Sequence, residues 1–139
     1  MQLRSLSDLT DKTLVLYFYP RDDTPGCTLQ ATDFSEMVGR FSRARARVVG
    51  VSPDDCFGHQ AFRDKHGLKI MLLSDVDGEA CTSYGVLREK ERNGVRRVGI
   101  VRSTFVIDRD RIVRYAHYGV SPGGHARDML AFVKSLQAK

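Results

Sequence analysis

No run of apolar residues in this chain approaches the roughly 20 that a membrane-spanning helix needs. The first residues, Met1-Gln2-Leu3-Arg4-Ser5-Leu6-Ser7-Asp8, carry no apolar core of the kind a secretory signal requires. No membrane partner is therefore expected. Cysteine is scarce: three in 139 residues, an odd count without the even, close spacing of a disulfide scaffold. That points to a reducing, cytoplasmic setting. Cys-x-x-Cys is absent, which removes the usual paired-cysteine metal site and the usual dithiol exchanger. Cys56 and His59 have ligand-like spacing, but neither they nor His66, His117 and His125 find a second close pair, so no metal is expected. There is no P-loop and no G-x-G-x-x-G; Ser121-Pro122-Gly123-Gly124 reads as a turn leading into a helix. No internal repeat, low-complexity segment or linker divides the chain, so residues 1–139 read as one domain.

What remains is an ordinary globular composition, 42% hydrophobic and 28% charged, long enough for a real core. The net charge is +5, with Arg43, Arg45 and Arg47 in one cluster and Arg96 and Arg97 in another. A basic module that binds nucleic acid is one reading of that charge. No aromatic platform or DNA-binding motif accompanies it, so a solvated arginine-rich surface is the better reading and nucleic acid is not the expected partner.

Leu14-Val15-Leu16-Tyr17-Phe18-Tyr19 is a continuous apolar run that stops at Pro20, the pattern of a strand buried on both faces. From Cys27 the apolar positions Ala31, Phe34, Val38 and Phe41 recur at helical spacing, which predicts a helix with one inward face and Cys27 at its head. Val48–Val51 and Ile70–Leu73 are two further strands. Between them lies a helix capped by Asp54 or Asp55, running to about His66 with Phe62 inward. A short helix follows around Ala80–Tyr84, and residues 85–99 read as a charged surface excursion. Thr104–Ile107 and Ile112–Tyr115 flank Asp108-Arg109-Asp110-Arg111 as a hairpin. Ala126, Met129, Leu130, Val133 and Leu136 mark a closing helix. Strands alternating with helices imply parallel crossovers, and the hairpin adds antiparallel strands. The expected fold is α/β, a mixed central sheet with helices on both faces.

The chemistry concentrates in Pro20-Arg21-Asp22-Asp23-Thr24-Pro25-Gly26-Cys27. A proline–glycine turn delivers one thiol to a helix start, where unpaired N–H groups favour the thiolate. A free cysteine is more often a small buried apolar residue. The neighbours of Cys27 favour a reactive one. Thr24, one turn earlier, has a hydroxyl suited to a helix cap or to a substrate, and Pro20 closes the strand without giving up a needed donor. An anionic sulfur needs a cation, and Arg21, Arg96, Arg97 and Arg102 are all candidates.

Pro20-x-x-x-Thr24-x-x-Cys27 resembles the active-site signature of the peroxiredoxins, and Tyr17–Thr28 as a whole resembles their bacterioferritin comigratory protein, or Q-type, branch. Gly50-Val51-Ser52-Pro53-Asp54, Leu72-Leu73-Ser74-Asp75, Tyr84-Gly85-Val86 and Arg102-Ser103-Thr104-Phe105-Val106-Ile107-Asp108 extend the likeness across nearly the whole chain. The resemblance implies a thioredoxin-like fold and a thiol-dependent peroxidase, serving antioxidant defence and redox homeostasis without a bound cofactor. Its substrates would be hydrogen peroxide and organic hydroperoxides. It implies Cys27 as the nucleophile that becomes a sulfenic acid, with Thr24 and Pro20 shaping the peroxide site and Arg102 selected among the four arginines. A general thiol–disulfide oxidoreductase is the enzymatic alternative. The basic interaction module on the same scaffold is the non-enzymatic one.

Two departures from that branch matter. Its common resolving cysteine, five residues after the nucleophile, is Thr32 here. Some members resolve instead from the next helix, at the place of Arg63; Cys56 lies two turns before it and is the candidate resolver, while Cys81 reads as core filler. A one-cysteine cycle is favoured, with thioredoxin, glutaredoxin or a small thiol as reductant and a monomer as the expected state. Relatives also begin with about 20 further residues forming a small hairpin before the region matching Ser5–Leu9, a loss tolerable where termini carry few contacts.

Overall fold

The computed structural model describes residues 9–137, apart from the side chains of Lys90, Glu91, Arg92 and Arg97. The segment Ser5–Asp8, part of the region matched to the relatives near their N-terminus, lies outside the described residues. Among the described residues there are seven strands: β1 (Thr13–Phe18), β2 (Ala46–Ser52), β3 (Met71–Ser74), β4 (Leu87–Arg92), β5 (Val95–Ile100), β6 (Ser103–Ile107) and β7 (Val113–Tyr118). The helices are α1 (Pro25–Glu36), α2 (Val38–Arg43), α3 (Cys56–His66), α4 (Glu79–Ser83) and α5 (His125–Gln137).

The main sheet runs β3-β2-β1-β6-β7, parallel from β3 to β1 and antiparallel from β1 to β7. This is the mixed sheet expected, in a thioredoxin-like arrangement. β1 is central and every one of its residues is buried. Val15 and Tyr17 face a core built with Ala31, Phe34, Phe41, Phe62, Met129 and Val133 from α1, α2, α3 and α5. Leu14, Leu16 and Phe18 face the opposite core, closed by Cys81 of α4 and Ile100 of β5. The period-2 alternation of a strand thus splits one apolar run between two cores. No helix among the described residues is long and apolar enough to cross a membrane.

Three local readings change. The predicted helix from Cys27 to Phe41 is two helices, broken at Met37, whose N–H reaches the carbonyls of Asp33 and Phe34. The break brings Phe41 back against Phe34, with ring centroids 5.8 Å apart. Of the two candidate caps of α3, Asp55 accepts from the Gly58 N–H at 2.8 Å, and Asp54 turns towards the loop after β1 instead. Residues 85–99 hold a second sheet, the hairpin β4–β5, turning at Asn93 and Gly94 with φ of 54° and 78°. Asn-Gly is the favoured pair for a two-residue turn with both φ positive, so the signal was in the sequence.

Gly50 of β2 lies beside Tyr17, and a Cβ there would stand 2.8 Å from the phenol oxygen. That vacancy lets the Tyr17 ring lie over Phe34, centroids 4.9 Å apart.

The first residue of α5, His125, is buried, and its Nε2 lies 2.8 Å from Thr104 Oγ1 of β6. Burial pushes its pKa down to about 4, opposed by the Asp128 carboxylate and assisted by His117 and Arg102. The unfolded chain therefore takes up a proton near pH 6.5 that the folded chain refuses until about pH 4. Stability attributable to this group is full above that window and is lost as pH falls through it. Urea midpoints measured across about pH 6.5 to 4 should fall more steeply for the wild type than for His125→Asn, which removes this protonation.

Candidate active site

The last main-chain bond at the end of β1 is donated by the Tyr19 N–H to Val51 O at 3.0 Å. Pro20 then ends the strand, since it has no N–H to continue the ladder. Asp23 takes φ 62°, a left-handed conformation unusual for a non-glycine residue. Thr24 is extended, with φ −87° and ψ 155°, and Pro25 opens α1, a position where proline's fixed φ suits the helix.

Cys27 occupies the first turn of α1 and is 1% exposed, facing the protein body as its place in the apolar stripe predicts. The first bond of the helical ladder runs from the Thr28 N–H to Thr24 O at 2.8 Å. The Gly26 and Cys27 amides precede it, and Thr24 makes no side-chain cap. Its hydroxyl donates instead to Arg21 O at 3.0 Å. The site thus keeps two N–H groups and the positive end of a helix beside one sulfur.

Of the four candidate arginines, Arg102 meets the thiol: Nη2 donates to Cys27 Sγ at 3.2 Å. Nη1 donates to Gln30 Oε1 at 2.6 Å. The arginine backbone is pinned as well, its carbonyl accepting from the Gly119 and Val120 N–H groups at 2.9 and 2.8 Å. Arg21 and Arg96 are exposed, and the Arg97 side chain lies outside those described. Gly26 makes the approach feasible. A Cβ there would stand 3.1 Å from Arg102 Nη2 and 3.4 Å from Pro122 Cγ.

Pro20 is half-buried at the head of the loop. Cys56 is the first residue of α3 and is exposed, accepting from Ser74 Oγ at 3.6 Å. Cys81 is buried, and burial together with the Asp75 carboxylate pushes its thiol up to about 12, so it stays protonated and inert. Thr32 donates to the carbonyls of Thr28 and Leu29 within its own helix.

Sequence reasoning missed three residues around the loop. Gln30 shares the inward face of α1 with Cys27 and orients Arg102; a glutamine interrupting an apolar stripe three residues after the cysteine was the available signal. Asp22 and His59 lie 2.7 Å apart, Oδ2 to Nδ1, and join the loop to α3. In sequence His59 reads only as a metal ligand paired with Cys56; in the fold its ring is buried while Cys56 is exposed.

The AhpC/TSA family model matches residues 1–116. Peroxiredoxin Bcp of Bacillus subtilis is 37% identical over 134 residues, spanning 96% of this chain and 85% of its own. Peroxiredoxin Bcp of Xanthomonas campestris is 40% identical over 122 residues, 88% and 76% of the two chains. The solved structure of the Xanthomonas campestris bacterioferritin comigratory protein, studied for alkyl peroxide reduction, superposes with a TM-score of 0.92 at 36% identity, over 96% of this chain and 85% of that one. A peroxiredoxin Q structure from Xylella fastidiosa gives 0.92 at 38% identity, over 98% and 84%. The chain therefore belongs to the AhpC/TSA family, as a peroxiredoxin of the bacterioferritin comigratory protein type.

Proposed function

We propose that Cys27 is the peroxidatic nucleophile of a thiol peroxidase acting on alkyl hydroperoxides and hydrogen peroxide. The observation that carries this reading is the 3.2 Å contact between Arg102 Nη2 and Cys27 Sγ, which opposes a pinned cation to a buried sulfur. The Cys27 thiolate attacks one oxygen of the peroxide, the O–O bond breaks, and the other oxygen leaves as hydroxide or alkoxide and takes up a proton. Cys27 is left as a sulfenic acid. Arg102 and the Gly26 and Cys27 amides stabilise charge on the departing oxygen. Thr24 turns its hydroxyl from Arg21 O to the peroxide, and Pro20 shields the approach. The alkyl peroxide reduction studied in the Xanthomonas campestris relative supports the substrate class.

For the return to the thiol, an external thiol is the favoured reductant: thioredoxin, glutaredoxin or a small thiol. Thr32 supplies no sulfur at the branch's common resolving position; on this reading the enzyme is a one-domain monomer of a reducing cytoplasm. One observation favours a second reading. The Asp22 N–H donates to Asp54 Oδ2 at 2.7 Å, which ties the loop before Cys27 to the residues just before Cys56.

Peroxide consumption driven by dithiothreitol should vanish in Cys27→Ser and persist in Cys81→Ser. Retained turnover in Cys27→Ser overturns the assignment. Arg102→Ala should slow peroxide reduction by about 100-fold or more, the loss typical when one charge-stabilising donor is removed. An unchanged second-order rate removes Arg102 from the mechanism. Intact-mass and peptide analysis of peroxide-treated, non-reduced protein should show Cys27 oxidised without a link to Cys56. A Cys27–Cys56 disulfide establishes the two-cysteine cycle instead.

A further inference from the structure

The loop between β1 and α1 has no ladder of its own, yet it must hold Thr24 and the first turn of α1 in register with Arg102. Its shape is set by side chains reaching across from α3 and the segment before it. Asp22 is gripped at three atoms. Its N–H donates to Asp54 Oδ2 at 2.7 Å. Its Oδ1 accepts from the Tyr19 hydroxyl at 2.6 Å. Its Oδ2 lies 2.7 Å from His59 Nδ1. Asp54 is itself fixed by the Ser52 hydroxyl at 2.7 Å. On the far side of the imidazole, His59 Nε2 lies 2.9 Å from Leu73 O of β3.

The His59–Asp22 pair is closed off from solvent, with the His59 and Asp22 side chains 2% and 7% exposed. Next to it, the left-handed Asp23 is held by Lys65 Nζ at 2.6 Å and His66 Nε2 at 2.8 Å, both from the end of α3. These partners hold its carboxyl below the usual carboxylate range. One helix thus grips two consecutive loop residues.

A buried polar pair is a poor device for stability alone, because desolvation offsets the attraction. Its distinctive effect is to admit one geometry. We propose that His59 is a positioning residue for peroxide reduction: paired with Asp22 and anchored to Leu73 O, it holds the 20–24 loop in the shape that aligns a peroxide with Cys27. The grip acts through Asp22 on Thr24, two residues on, and on the start of α1.

This proposal rests on Cys27 being the nucleophile, and the experiment separates the two. Stopped-flow rates with an alkyl hydroperoxide are measured beside the rate of Cys27 alkylation by iodoacetamide, read by peptide mass so that the exposed Cys56 is scored separately, at a temperature where circular dichroism shows each variant folded. Alkylation needs a reactive, reachable thiol but not an aligned peroxide. For His59→Ala the peroxide rate should fall about 10-fold or more, since small misplacement is costly to an aligned reaction, while alkylation is not slowed. Asp22→Ala should show the same pattern, and the double variant should lose no more than about twofold beyond either single one, as expected of groups acting as one unit. Tyr19→Phe removes only one donor to Asp22 and should give a smaller loss in the same sense; it serves in place of His59→Ala if that variant does not fold. Equal slowing of both reactions, unchanged peroxide rates in folded variants, or losses that multiply in the double variant overturn the positioning role. Peroxidase activity surviving in Cys27→Ser overturns the underlying reading as well.

Discussion

A sulfur that is to attack as an anion cannot be buried alone. Taking a charge out of water is costly unless a partner replaces the solvent, and here that partner is the Arg102 guanidinium. Much of the local design follows from this pair. Glycine at position 26 leaves the guanidinium its place, since a Cβ there would stand 3.1 Å from Arg102 Nη2 and press it aside. Position 30 must accept a hydrogen bond, because the second Arg102 nitrogen otherwise lacks its acceptor. The arginine backbone must not move, and the two N–H groups at Gly119 and Val120 fix it.

The sheet explains why residues 75 positions apart meet. β1 and β6 are antiparallel neighbours in register Phe18 to Ser103. One step beyond that pair, the chain leaves β1 towards Pro20 at the place where Arg102 enters β6. The catalytic loop and the cation are consecutive consequences of one strand pairing. β1 can supply that pairing from the centre of the sheet only because its residues satisfy a core on each side. A polar residue at Leu16 or Val15 would disturb the site through the frame without touching the sulfur.

Which parts were legible follows from the range of the interactions. The start of α1 was legible because Pro25, Gly26 and the stripe from Cys27 to Phe34 are local signals that agree. The β4–β5 hairpin was legible too, through Asn93-Gly94, but charge at every turn of residues 85–99 masked it as an excursion. Arg102 could not be separated from Arg21, Arg96 and Arg97 by composition, since strand register is a non-local property; the family resemblance made that choice. His59 was the least legible. Three residues after Cys56 it carries the spacing of a ligand pair, and only the fold shows that helix α3 turns the two side chains apart, one to Asp22 and one to solvent.

On the proposed cycle, the same order that favours attack by Cys27 opposes its recovery. Attack requires a first turn of α1 held against Arg102 and a loop gripped by α3. Reduction requires a sulfenic sulfur at a site 1% exposed to be reached by another thiol. If that thiol is external, the loop must yield enough to admit it. If it is Cys56, the two Cα atoms must come within about 7 Å for a disulfide, and the helix bearing Cys56 is the one that His59, Lys65 and His66 fasten to the loop. Either route requires contacts that complete the peroxide site to loosen after the first step. On this reading the anchors of α3 stand between the two halves of the cycle: the loop that His59, Lys65 and His66 hold for attack is the loop that has to loosen for reduction.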